Sequence, residues 1–199
     1  MDFRRNLILA ELPKRKRRTE GGKKKMLRES ENKVRQAMEE VFGDDKRRIN
    51  HALRVTGYAA ELLKKEMGDR EIVLCAALLH DIGISVAEKK YGSSSGHYQE
   101  KEGPPLARKI LKGLGYDSGM IEEICGIVGN HHSPGKVDSM NFKILYDADW
   151  LVNLPDETKG DKKKLERMID KVFLTQTGKE LARDIYLRDG KGIIAVDVK

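Results

Sequence analysis

A chain of 199 residues is long enough for one domain with a sizeable core, and 39% apolar against 36% charged residues gives that domain a heavily charged surface. No apolar run reaches the roughly 18 residues of a membrane span, and the start, a short apolar patch at 7–10 ahead of a basic block, reverses the order of a signal peptide. The net charge of +7 comes wholly from residues 1–25, where ten Lys and Arg face only Asp2, Glu11 and Glu20.

Residues 1–25 therefore read as a solvated basic extension, and 26–199 as one helical domain. The extension is the one segment suited to nucleic acid or another polyanion. No aromatic interrupts its basic block to stack on bases, and it supplies no candidate for chemistry. Beyond it, Val34, Met38, Val41 and Phe42 form one apolar face that stops at Gly43. Asp44 is placed to cap a second helix, whose stripe is Ile49, Leu53, Thr56, Ala60 and Leu63, ending by Gly68. A third, "REIVLCAALLHDIG", starts at Asp69. "YGSSSGHYQEKEG" reads as a loop, either a lid or a plain linker. "PPLARKILKGLG" opens on its prolines and closes on glycine. "DSGMIEEICGIVGNHH" follows, then the loop "SPGKVDSMN" and the helix "NFKILYDADWLVNL", closed by Pro155. The C-terminal helices fall within 161–190: one over 162–174, then "TGKELARDIYLRDG" with a Thr177/Glu180 capping box. The only strand-like stretch is the tail "GIIAVDV". The expectation is an all-α bundle of about seven helices. Cys75 and Cys125 sit in apolar helical windows and read as buried, reduced thiols, which places the protein in the cytoplasm.

The chemistry-bearing residues are the five histidines, His51, His80, His97, His131 and His132, with Asp81 and Asp149. A lone histidine on an apolar face is usually a satisfied core residue. Several converging from different segments with two carboxylates form a ligand set suited to Fe, Mn, Ni, Co or Zn. The puzzle is sharpest at "CAALLHDIGIS", where an apolar run ends on His80-Asp81. Burying either group without a partner costs several kcal/mol, on the order of the transfer penalty of a polar group.

The order His51, His80-Asp81, Asp149 resembles the H…HD…D signature of the HD-domain superfamily. "NHALRVTGYAAELL", "AALLHDIG" and "ILYDADWL" are similar to the three stretches that carry the ligands there, so the resemblance covers about 45–155. It implies an all-helical domain with a metal among four helices, and hydrolysis of phosphate esters, often of nucleotides. Asp149 is preferred to Asp147 as the last ligand. With Asn153 one turn on from it, Asp149 resembles the family's "AD..L" turn, and Asp147 lies about 200° round the helix, so the two cannot easily face one ion. Relatives with two metals place a histidine after the HD pair and another before the last aspartate, which here are His97 and the His131-His132 pair. A centre of one or two divalent ions follows, with either of the pair as ligand.

A bound divalent ion lowers the pKa of water towards 7, and Asp81 is placed to ligate and to bridge. Asp81 and His80 are the residues expected at the reaction, with Arg54, at i+3 from His51, and Lys136 as phosphate contacts. The loop at 132–136 is similar to one in HD proteins that split symmetrical dinucleoside tetraphosphates; no Gly-Tyr-Pro loop points to cyclic-di-GMP. The expected activity is a metal-dependent phosphohydrolase acting on a small phosphorylated substrate, a nucleotide. The alternatives are a di-iron oxygenase of the same ligand order, and a regulatory HD protein without turnover. The oligomeric state is not legible.

Overall fold

The computed structural model describes residues 20–188; residues 1–19 of the basic extension and the tail at 192–198 lie outside the described residues. Among the described residues nine helices follow one another: α1 (Glu20–Phe42), α2 (Lys46–Leu62), α3 (Arg70–Leu79), α4 (Ile84–Tyr91), α5 (Gly96–Gly113), α6 (Ser118–Val128), α7 (Met140–Thr158), α8 (Lys162–Val172) and α9 (Gln176–Tyr186). There is no strand among the described residues. None of their helices is long and apolar enough to cross a membrane.

α3 is the hub. Every residue from Ile72 to Leu79 is buried, because α1, α2, α6 and α7 pack around it. A helix apolar all round can exist only where neighbours cover every face. Asp69 caps its start by accepting from the amides of Glu71 and Ile72, at 2.9 and 3.1 Å. α2 and α7 lie against each other beside it, α5 pairs with α6, and α8 and α9 close over α7.

Several boundaries differ from those expected, each for a local reason. The stretch read as a loop after residue 91 is helical from Gly96, leaving only 92–95 as the connection. Its ends are tied by the stacked rings of Tyr91 and Tyr98, 4.1 Å apart, and by the Tyr91 hydroxyl, which donates to Glu102 at 2.6 Å. Pro104 and Pro105 thus lie inside α5 rather than at its start. Pro155 does not end α7 either, and the helix runs on to Thr158. A proline removes the amide that would bond the carbonyl four residues back, here Leu151, and the Tyr186 hydroxyl from α9 donates to that oxygen instead. The caps are Asp45 rather than Asp44 for α2, and Thr175 rather than Thr177 for α9. α4 was not legible because only Ile84 and Ala87 of its eight residues are buried.

Gly83 fixes the elbow between α3 and α4. A Cβ there would come within 2.6 Å of both the Gln99 carbonyl oxygen and the Gly103 amide nitrogen. The backbones of the elbow and α5 therefore touch, and that contact sets where His80 and Asp81 point. The cysteines are free and buried. Burial pushes the Cys75 thiol up to about 12, so it is an inert core group.

Candidate metal centre

His51 projects from the middle of α2, His80 and Asp81 follow the last turn of α3, and Asp149 lies on α7. The three elements pack together, so the side chains meet. His51 Nε2 lies 3.2 Å from His80 Nε2, 3.1 Å from Asp149 Oδ1 and 3.6 Å from Asp81 Oδ2. His80 Nε2 lies 3.4 Å from Asp81 Oδ2 and 3.7 Å from Asp149 Oδ1. A tetrahedral ion with ligand bonds of about 2.0–2.1 Å puts neighbouring donors about 3.3 Å apart, which is the spacing seen.

The other oxygen of Asp81 faces a second group. Asp81, His131 and His132 each offer a donor atom within 4.8 Å of the others, and His131 Nε2 is 3.5 Å from Asp81 Oδ1. His131 follows the last turn of α6 and its side chain is 1% exposed. Its Nδ1 donates to the Val128 carbonyl at 2.7 Å. That leaves Nε2 buried with no hydrogen-bond partner, aimed at a carboxylate. A lone pair facing a carboxylate is repulsive unless a cation lies between them. This orphaned nitrogen is the observation that fits a metal here.

His80 is built the same way, its Nδ1 donating to the Ala77 carbonyl at 2.8 Å while Nε2 faces the group. Such a backbone contact fixes the ring and raises the basicity of the ligating nitrogen. Burial alone would lower the His80 pKa, but the Asp81 carboxylate, with Asp149 and the Ala77 carbonyl, outweighs it and lifts the value to about 9. Burial would raise Asp81 and Asp149; the facing imidazoles prevail and hold both below the usual carboxylate range. His132 is exposed along one side, yet desolvation of its inner side and the neighbouring His131 push it down to about 4.

Two polar side chains hold these groups in place, and sequence reading missed the first of them. Glu100 of α5 accepts from the His132 amide at 3.0 Å and the Ser133 hydroxyl at 2.9 Å, clamping the turn after α6. Only the three-dimensional fold of α5 against α6 brings it there. Asn153 Nδ2 donates to Asp149 Oδ1 at 2.9 Å, as its i+4 spacing allows.

The remaining candidates separate. His97 is exposed on the first turn of α5 and belongs to neither donor group among the described residues. Asp147 is fully buried and points away from the centre. Its carboxylate accepts from the Leu174 amide at 2.7 Å, the Thr175 amide at 2.9 Å and the Thr175 hydroxyl at 2.7 Å. Burial nevertheless pushes its pKa up to about 6. Trp150 packs beside Tyr146, their rings 6.4 Å apart. A cavity of about 430 Å³ opens on the centre, lined by Arg47, Asn50, His51 and Arg54 of α2, Asp81, and Asn153 and Asp156 of α7, among others. Arg54 is thus at the cavity, while Lys136 is exposed and not part of its lining.

The HD domain model matches residues 48–154, more than half of the chain. A solved structure, that of a predicted HD superfamily hydrolase from an uncultured Thermotogales bacterium, aligns with a TM-score of 0.57 at 30% sequence identity, over 81% of this chain and 85% of that one. Among curated proteins none matches significantly. With His51, His80-Asp81 and Asp149 meeting as one cluster inside the matched segment, the chain belongs to the HD domain family.

Proposed function

We propose that this protein is a metal-dependent phosphohydrolase that cuts a phosphate ester or anhydride of a nucleotide. The observation that carries the reading is Asp81, whose two carboxylate oxygens face two different donor groups at the floor of one cavity. His51, His80, Asp149 and Oδ2 of Asp81 would hold one divalent ion, and His131, His132 and Oδ1 of Asp81 a second. The donor set suits Fe, Mn, Ni, Co or Zn. Bound there, such ions acidify a water and draw charge from phosphoryl oxygens. The Thermotogales relative is named as a hydrolase, which supports the same class of reaction.

The chain's own residues do the rest. The Ala77 and Val128 carbonyls fix the imidazole faces of His80 and His131. Asn153 and Glu100 hold Asp149 and the His132 turn. Arg54 brings a guanidinium to the cavity, where it can meet a phosphoryl group in reach of the centre.

The test is metal analysis of the purified protein, followed by a phosphate-release screen over a nucleotide panel with Mn, Co, Ni, Zn and Fe(II). The expected result is one to two equivalents of metal and release that disappears on chelation. Oxygen uptake by the Fe(II) form without phosphate release would replace the phosphohydrolase reading with the oxygenase one.

A further inference from the structure

We infer that the cavity takes a phosphoanhydride chain in preference to a phosphomonoester, laid along α2 and gripped by Arg47 and Arg54 on either side of His51. This rests on the phosphohydrolase reading. Arg47, Asn50, His51 and Arg54 are spaced i, i+3, i+4 and i+7, and all four line the cavity. They are one stripe of α2, bordering the buried stripe of Ile49, Ala52, Val55, Tyr58, Ala59 and Leu62. Seven residues of helix place the two arginines about 10 Å apart along the axis, with His51 between them.

The third arginine of the lining is different. Arg48 is already paired with Asp45 at 3.2 Å and with Glu88 at 2.6 Å. Neither Arg47 nor Arg54 forms an ion pair among the described residues, and both are exposed at the rim. Two guanidiniums flanking the metal ligand ask for negative charge on both sides of the reacting phosphorus. A monoester carries its phosphate charge on one side only. An anhydride supplies it on both, because its leaving group is itself a phosphate. The facing wall presents Asn153 and Asp156. The carboxylate repels phosphoryl oxygens, so the chain is held on the α2 side. No aromatic residue is among the lining, so nothing inside stacks on a base. Selection is then by phosphate charge and not by nucleobase.

In the step itself the oxygen of water bonds to phosphorus and the bridging P–O bond breaks. Its electron pair leaves on the departing phosphate, and one proton passes to solvent. No oxidant or reductant is needed.

The test compares kcat/KM of the metal-loaded full chain for ATP, GTP, CTP and inorganic tripolyphosphate with AMP and p-nitrophenyl phosphate. Arg47→Gln and Arg54→Gln are run beside wild type, with circular dichroism to confirm the helix content of each. Anhydrides should exceed monoesters at least about tenfold, and the three nucleoside triphosphates should agree within about threefold. Each substitution should lower anhydride kcat/KM by about 10–100-fold, the range for a lost charge-assisted contact, and Arg47→Gln should lower monoester values by much less. Calorimetric binding of tripolyphosphate should weaken in both variants. Monoesters cut as well as anhydrides, equal losses on both classes in Arg47→Gln, or tenfold discrimination among bases would each overturn the inference while leaving the phosphohydrolase reading intact. Phosphate release from none of the compounds would remove both.

Discussion

The two donor groups that share Asp81 are built from different material. The first is drawn from helices of the packed core: His51 in the middle of α2, Asp149 within α7, and His80 closing α3 with 1% of its side chain exposed. The second hangs on the turn after α6, where His131 is buried but His132 is exposed, and a side chain from α5, Glu100, holds that turn. Ligands on packed helices are set by the fold, whereas ligands on a turn depend on its local contacts. The first group should therefore bind tightly, and the second should be the one that local changes loosen.

The strongest way to break this contrast is to remove what both groups share. Asp81→Ala should abolish phosphate release and weaken metal binding by more than the 10–100-fold typical of an outer-shell partner. His131→Ala should leave about one equivalent bound. Metal stoichiometry by elemental analysis decides it. Full activity in the Asp81 variant would mean that the turnover arises elsewhere, and two tight equivalents in the His131 variant would erase the distinction between the groups.

Proton release tests the first group by itself. In the metal-free protein His80 is lifted to about 9, so near neutral pH it carries a proton between the two carboxylates. Because its folded value lies above the ordinary one of 6.5, the stabilisation it gives is complete below about pH 6.5 and is lost as the pH rises through about 9. Metal loading at pH 7 must expel that proton, so affinity should rise with pH over the same window. Calorimetry in buffers of different ionisation enthalpy should register about one proton released per first equivalent; a heat independent of buffer contradicts it.

Glu100 sharpens the other side. Glu100→Ala should weaken the second equivalent by about 10–100-fold and leave the first unchanged, with Glu100→Gln intermediate because an amide oxygen can still accept one of the two bonds. Equal loss at both positions would show a general packing defect instead. The smallest effect expected is that of His97→Ala, which should leave both equivalents in place by the same titration.

How much of this was readable beforehand follows from what is local. The α-helical class and the Asp69 cap were legible because apolar spacing and a capping carboxylate act within a turn or two, while the cap of α2 lies one residue after the one expected and that of α9 two residues before. His51, His80-Asp81 and Asp149 were legible as a set because their types and order carry a family pattern. The choice of Asp149 over Asp147 rested on the family's "AD..L" turn together with helix geometry, and Asp147 lies on the far side of α7, bonded to Leu174 and Thr175. Glu100 was not legible, since its role exists only once α5 packs on α6. Nor was the continuation of α7 past Pro155, because the hydroxyl that satisfies Leu151 comes from Tyr186, 35 residues along the chain. The placement of His97 rested on the family pattern alone, and α5 begins early enough to turn that side chain outward.

Asp147 carries one consequence further. It and Asp149 lie on the same turn of α7, Asp149 facing His51 and His80 and Asp147 the α8–α9 junction. Gly178 of α9 packs so close to the Asp147 carboxylate that any side chain there would collide with it. The segment matched by the family ends at 154, short of every group that bonds this carboxylate. A fragment trimmed to the matched segment would expose a bare acid about half a turn from Asp149. The smallest unit that can be excised with its centre intact therefore ends beyond Tyr186, where the last helix has closed over both the acid and the Leu151 carbonyl.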